Sequence, residues 1–471
     1  MRPGEVSGQL RQLIGSVARH WASVAIGAQL ILIAIWFSVT GLFHAVETYD
    51  TAGYLHVKWE SPVDVLRDVR TPGYPLFLLI FRTISSNPDL IPLTHFVVYA
   101  TSVFVFYSGL RRLSGDTTRS FVGASAVIYA RVLQGYVSVI STDTLAAAVG
   151  IFVCGLIMLR LCSPGGLISA FLLLAVTAAW MIRPAYLFLV PFVPFMTWMF
   201  YPVLRPSDPA RKSRNWHCMT TLLLVSMPLI FYSTLRLSVV GRFGIVSFGG
   251  FNMLGIAGQF LVDSDVPLLS EDLRDLAAAA IQRRDSGKLE TREHDDLPVT
   301  NYMRMESRYD LTIWHIFSDS SQSNAERDSV KVNSQMRRLA QEIIRLHPGQ
   351  YLTWLVKASR QAVRKIAWDF ADNGLGCLLL MLAAVVVVLN GCRGGSWNSL
   401  EGGETSVLRI LSVFSIVYCV MNLAIVIPVC PPLGRFTDSA AVLLASPLAV
   451  WILNSTWSER LTSLRVKSNS A

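Results

Sequence analysis

Residues 24–43 read V-A-I-G-A-Q-L-I-L-I-A-I-W-F-S-V-T-G-L-F, 20 residues without a charge. At about 1.5 Å per helical residue such a block matches the roughly 30 Å hydrocarbon core of a bilayer. It is not alone. Residues 374–392, 410–429 and 439–456 are also uncharged blocks of this kind. Across all 471 residues, 52% are apolar and only 15% charged. Ordinary soluble domains carry about a quarter charged residues, so a typical soluble enzyme, a coiled coil and a disordered chain are excluded. The chain reads as an all-α, multi-pass membrane protein.

Working outward from residues 24–43, the first span covers about 22–43, preceded by a mixed segment holding Arg2, Arg11 and Arg19. This reads as an uncleaved anchor with a cytoplasmic N-terminus. Further spans read at about 91–110, 120–138, 142–160, 167–182, 184–203, 216–237, 374–392, 406–428 and 438–456. The short apolar stretch 74–86 either crosses alone or joins 91–110 as one broken crossing, which gives about 10–11 transmembrane helices. The single crossing puts Arg111/Arg112/Arg119, Arg160, Arg205/Arg211/Lys212/Arg214 and the tail Arg460/Arg465/Lys467 on the cytoplasmic side, as the positive-inside rule prefers. Three regions result: a transmembrane module over 1–238 with a first outer loop at 44–73, an outer and mostly helical insert over 239–370, and closing helices over 371–471. Within the insert, 271–284 and 325–346 have helical patterns, and His347-Pro348-Gly349 breaks the second. The stripe Tyr351, Leu352, Trp354, Leu355 and Ala358 suits a helix lying on the membrane surface or the end of an ordinary span.

Net charge is 41 − 32 = +9. The basic residues belong to cytoplasmic loops, and no basic run interleaved with aromatics suggests a nucleic-acid partner. Seven cysteines show no C-x-x-C and no metal-ligand spacing, so they read as small apolar side chains.

The informative region is the first outer loop, which contains Y-D-T-A-G-Y-L at 49–55 and R-T-P-G-Y-P-L-F-L at 70–78. Leu55, Trp59, Leu66 and Val69 share one helical face, and Ser61-Pro62 restarts the pattern with an N-cap and a first-turn proline. Two short amphipathic helices on the outer membrane surface are expected. Thr71-Pro72 reads as a second helix start, with Arg70 just before it. An arginine beside free helix N–H groups forms an anion site, here for a lipid phosphate; the alternative is a snorkelling arginine. Asp50 is a candidate general base, or a holder of a divalent cation bridging to the phosphate. Glu47 is able to share either job. His44 and His56 flank Asp50, and Tyr74 follows Pro72 as a further candidate.

These residues, taken in order, resemble the GT-C superfamily of integral-membrane glycosyltransferases, in particular bacterial members related to protein mannosyltransferases and the lipid A aminoarabinose transferase. The resemblance is carried by the first-loop Asp50 with the two runs above and by Ser141-Thr142-Asp143 opening a helix. I-R-P-A-Y-L-F-L-V-P at 182–191 and P-P-L-G-R-F at 431–436 extend it. It implies a bacterial inner (plasma) membrane location and a site on the periplasmic face. It also implies transfer of a sugar from a polyprenyl-phosphate donor to a lipid, glycan or protein acceptor, with inversion at the anomeric carbon. Asp50 and Glu47 would be catalytic, and Arg70, Arg183 and Arg435 would hold the donor phosphate. Many relatives pair the first-loop acid with a second one; here Asp50 stands between Tyr49 and Thr51. No metal ligands are assigned.

Arg131 lies inside the apolar run 120–142 and Asp143 at its end, and intramembrane charges are functional candidates by default. On this path Asp50, Arg70, Asp143, Arg183 and Arg435 all fall on the outer side. Gly249-Gly250-Phe251-Asn252 reads as a turn over that site. Two other classes fit a multi-pass chain: a lipid-linked oligosaccharide flippase, which usually shows paired repeats, and an O-antigen-type polymerase or ligase.

Overall fold

A computed structural model describes residues 3–204, 211–286, 293–320, 328–392 and 404–468. Every regular element among the described residues is helical, and Val46 and Val139 form an isolated parallel bridge. Among the described residues, six helices are long and apolar enough to cross a membrane, or up to eight if each of two bent pairs counts as one span.

The first helix, α1 (Pro3–Val39), kinks at His20 and leaves His20–Val39 as a span. Ala22, Ile26, Leu30, Ile33 and Phe37 are buried, at spacings of three and four, while Ile31, Leu32 and Trp36 are exposed. A helix that is apolar on its outward face as well as its packed face is suited to lipid. The first loop holds α2 (Tyr49–Leu55) and α3 (Pro62–Arg67), the two short helices expected there. Ser61 caps α3 by accepting from the Asp64 N–H at 3.2 Å, with Pro62 in the first turn.

Helix α4 (Gly73–Ile84) begins one residue later than Thr71-Pro72 suggests. Pro72 is its N-cap residue, and Thr71 is buried without capping it. Gly73 is required because a Cβ there would lie 2.6 Å from the Met181 carbonyl carbon. After α4, Asp89 accepts from the Ala45 N–H at 2.8 Å and pairs with His44. Both ends of α4 therefore lie at the same end of the bundle, and of the two only α5 (Leu90–Ser114) is long and apolar enough to cross a membrane. Residues 74–110 thus hold one candidate span.

The expected span at 120–138 is not a continuous helix. It is α6 (Thr117–Ile128), a break at Tyr129 and Ala130, and α7 (Arg131–Tyr136). The physical reason is Arg131, whose charge is held outside the packed apolar interior by Asp369, Asp372 and Asp438. Helix α8 (Asp143–Cys162) then packs along α5, followed by α9 (Gly166–Ile182), a 3-10 turn at Pro184–Phe188, α10 (Leu189–Leu204) and α11 (Arg211–Val240).

The insert is helical: α12 (Gly249–Ala257), α13 (Glu271–Asp285), α14 (Tyr302–Leu311) running into a π-turn at Thr312–Ser318, α15 (Ser329–Leu346) and α16 (Pro348–Asp372). Residues 325–327 of the expected helix lie outside the described residues. Gly249-Gly250 opens α12 instead of a turn, because Gly250 meets the Asn333 carbonyl, where a side chain has no room. Helix α16 meets α17 (Gly374–Cys392) at 90°, as a surface helix leading into a span would.

The insert core includes Leu254, Leu273, Leu339 and Trp354, and it continues into Leu423, Val426 and Ile427 of α18 (Glu404–Val426) and the turn after it. Three insert side chains donate to successive carbonyls of that turn: Trp354 Nε1 to Ile427 at 3.1 Å, Tyr351 Oη to Pro428 at 2.8 Å, and Tyr309 Oη to Val429 at 3.2 Å. The turn leads to α19 (Gly434–Ala440), which is bent by 45° from α20 (Ala445–Ser468).

Arg112 reaches Ser163, Arg119 reaches Asn454 and Arg160 reaches Thr221 at the end of the bundle away from the insert. Arg2 and Arg205 lie outside the described residues. For Arg11, Arg19, Arg211, Lys212, Arg460, Arg465 and Lys467 only the backbone is described.

Candidate functional site

Asp50 is placed by the segment before it. Val46 N–H donates to Ser138 O at 2.8 Å and Ile140 N–H to Val46 O at 2.9 Å. Thr51 Oγ1 donates to Ile140 O at 3.0 Å while accepting from Thr48 N–H. These bonds stitch the start of α2 to the segment that opens α8. The two acids at those starts, Asp50 and Asp143, thereby come to one end of the bundle.

Each acid meets arginine. Arg70 Nη2 lies 2.8 Å from Asp50 Oδ1, and Arg435 Nη1 lies 2.5 Å from Asp50 Oδ2. Partial burial pushes the Asp50 carboxyl up, but the Arg435 and Arg70 guanidiniums outweigh it and hold the carboxyl down at about 2. Arg70 is fixed by Tyr54, whose ring lies 4.7 Å under its guanidinium, and by Phe248 at 5.7 Å. Gly53 leaves the space, since a Cβ there would sit 3.2 Å from Arg70 Nε. Asp68 Oδ1 accepts from the Arg70 N–H at 2.7 Å.

Arg183 pairs with Asp143, and both are buried. Ser141 Oγ donates to the other Asp143 oxygen at 2.9 Å. Arg183 sits where the α9 helix ends and the Pro184 turn begins, so it is directed by the same break that separates two crossings. The Phe436 ring joins the two pairs, with Arg183 4.7 Å and Arg435 5.2 Å from its centroid.

Five residues singled out in the sequence, Asp50, Arg70, Asp143, Arg183 and Arg435, are thus one cluster of three arginines and two aspartates. The others are elsewhere. Glu47 is exposed and outside the cluster, so it does not share the position of Asp50. His56 is exposed at the C-cap of α2. Tyr74 is fully buried, its ring edge-on to Tyr54 at 5.0 Å and its hydroxyl 3.4 Å from His95, so it supports Tyr54 from beneath. Arg131 lies apart, 3.1 Å from Asp369 and 3.7 Å from Asp438, at a cleft between α16, α17 and α19.

The helix-start anion site beside Arg70 is not formed as expected. The α4 N-terminus packs on the Met181–Ile182 backbone, and the guanidinium turns to Asp50. Nor does the donor set at Asp50 fit a divalent cation. Both carboxylate oxygens face guanidiniums, and a cation there would meet two positive charges. Among the described residues no three His, Cys, Asp or Glu side chains gather as a metal site.

Arg236 was not anticipated. It is 1% exposed and donates to Leu66 O, Gly244 O and Ser247 Oγ, which ties α11 to α3 and to the start of the insert. Its position inside the apolar run 216–237 was the available signal, since a charge within a span is unusual. Phe248 carried no such signal. Comparison of the chain with protein-family models, curated proteins and solved structures found no match.

Proposed function

We propose that this chain is an integral-membrane glycosyltransferase of GT-C type, moving a sugar from a polyprenyl-phosphate donor to a hydroxyl acceptor on the outer face of a bacterial inner membrane. The observation that carries the reading is Asp50 in the first loop, bridged by Arg70 and Arg435, at the end of the bundle away from the basic loops. Taken as crossings, α9 and the broken α6–α7 path would raise the up to eight candidate spans to ten, and an even number would put both termini on the basic side.

In this reading the acceptor hydroxyl attacks the anomeric carbon of the donor sugar. The bond from that carbon to the phosphate oxygen breaks as the new glycosidic bond forms. Asp50 takes the hydroxyl proton, and polyprenyl phosphate leaves with the electron pair. Arg70 and Arg435, backed by Arg183, neutralise the charge that develops on the phosphate, the kind of electrostatic stabilisation that usually dominates such a step. Attack opposite the leaving group inverts the anomeric centre.

The test is mass spectrometry of lipid-linked sugars and cell-envelope glycans in cells with and without the gene. Loss of one glycan modification together with accumulation of one polyprenyl-phosphate sugar is expected. Accumulation of a complete oligosaccharide carrier would point to a flippase, and shortened polymer chains to a polymerase or ligase; either replaces the proposal.

A further inference from the structure

The contacts of Asp50 carry a second conclusion, which rests on the reading of Arg70 and Arg435 as a phosphate site. We propose that Asp50 is an exchangeable occupant of that site: its carboxylate fills the space between the two guanidiniums until a phosphate group displaces it.

The geometry favours exchange at Asp50 over movement of the arginines. Arg70 is held between Tyr54 and Phe248 and Arg435 lies against Phe436, so both guanidiniums are stacked on rings anchored in different elements. Asp50 instead stands in the first turn of a seven-residue helix between the exposed Tyr49 and the anchored Thr51. Its short side chain leaves the pair by a change of rotamer alone. The site also has capacity beyond one carboxylate. Arg435 Nε is buried without a hydrogen-bond partner, a donor still open to a further oxygen. The phosphodiester of a sugar donor offers two non-bridging oxygens, as the carboxylate does, and the leaving polyprenyl phosphate, a monoester, offers three; oxyanions of this geometry suit paired guanidiniums.

Exchange has a chemical consequence. Between two guanidiniums Asp50 is a weak base, as its depressed proton affinity shows. Once a phosphate group takes its place between the two arginines, the released carboxylate loses both direct contacts and regains affinity for a proton, beside the group it must serve. Base activation is thereby conditional on an occupied phosphate site.

The experiment uses the full-length protein in phosphatidylcholine nanodiscs and two phosphate sources. One arm adds inorganic phosphate; the other builds a polyprenyl monophosphate into the disc. Carbodiimide coupling at Asp50, in excess over phosphate and quantified by peptide mass spectrometry against Asp64, should rise at least about threefold in one arm or both, because releasing a charge-assisted contact frees the carboxylate. The responding arm identifies the source. Asp50→Asn should bind the responding phosphate at least about fivefold more tightly than wild type, since a competing charge-assisted contact is gone. Flat or reduced coupling in both arms, or weaker binding by Asp50→Asn, overturns the exchange. If that variant fails to fold, the wild-type coupling decides alone. Rising coupling without sugar transfer would leave the exchange standing and remove the glycosyltransferase; transfer with flat coupling would do the reverse.

Discussion

Replacing Arg183 separates the structural from the chemical part of the cluster. Asp143 is 2% exposed and Arg183 6%, and the Arg183 guanidinium also covers the Phe436 ring. Arg183→Met keeps much of the side-chain volume but leaves Asp143 with Ser141 as its remaining named donor. Breaking a buried pair by removing one partner costs about 3–5 kcal/mol, because the surviving charge stays desolvated. Replacing both partners removes that penalty, so Asp143→Leu with Arg183→Met should fall within about 1 kcal/mol of wild type or above it. The two results give a coupling energy from a double-mutant cycle. The assay is unfolding in mixed micelles followed by tryptophan fluorescence, run beside a transfer assay. The double variant should be stable and yet lose transfer, because Arg183 backs the phosphate site. An Arg183→Met variant within about 0.5 kcal/mol of wild type would refute the buried pair.

Three further outcomes are expected. Asp50→Asn should fold and lose about 10²–10⁴-fold in turnover, the usual range for a general base, whereas Glu47→Gln, outside the cluster, should match wild type in the same assay. Because the folded Asp50 carboxyl lies at about 2, below its ordinary 3.8, its contribution to stability is present above the ordinary value and lost as pH falls toward the lower one. The wild type should therefore exceed Asp50→Asn by up to about 2 kcal/mol at neutral pH and lose that margin between about pH 4 and 2, in denaturation curves recorded across pH. Gly73→Ala should destabilise by about 1–3 kcal/mol in the same measurement, since its Cβ would collide with the Met181 backbone.

Much of the site was legible in the sequence because its residues sit at local landmarks. Ser61-Pro62 marks α3, Asp143 opens α8, and Arg183-Pro184 divides α9 from the next turn; each signal acts within a few residues. Counting basic loops was enough to put Asp50, Arg70, Asp143, Arg183 and Arg435 on one side. What it left open was pairing. Whether Arg70 faces a helix terminus or Asp50 depends on the fit of Gly73 against Met181, a contact between residues more than a hundred positions apart. The broken 120–138 stretch has the same cause. Apolar composition suggested a span, but Arg131 finds its acids on α16 and α19, far along the chain. Arg236 shows a mixed case, a local signal present in an apolar run and satisfied by one distant acceptor, Leu66 O, and two nearby ones, Gly244 O and Ser247 Oγ.

The most direct measurement of the central claim is a comparison of lipid-linked sugars in three strains: wild type, gene deletion, and deletion carrying Asp50→Asn at wild-type protein level. The expected result is that the Asp50→Asn strain accumulates the same polyprenyl-phosphate sugar as the deletion and lacks the same glycan modification. An Asp50→Asn strain whose donor pool and glycans match wild type, while the deletion differs, would contradict the assignment of Asp50 as the transferring site's base.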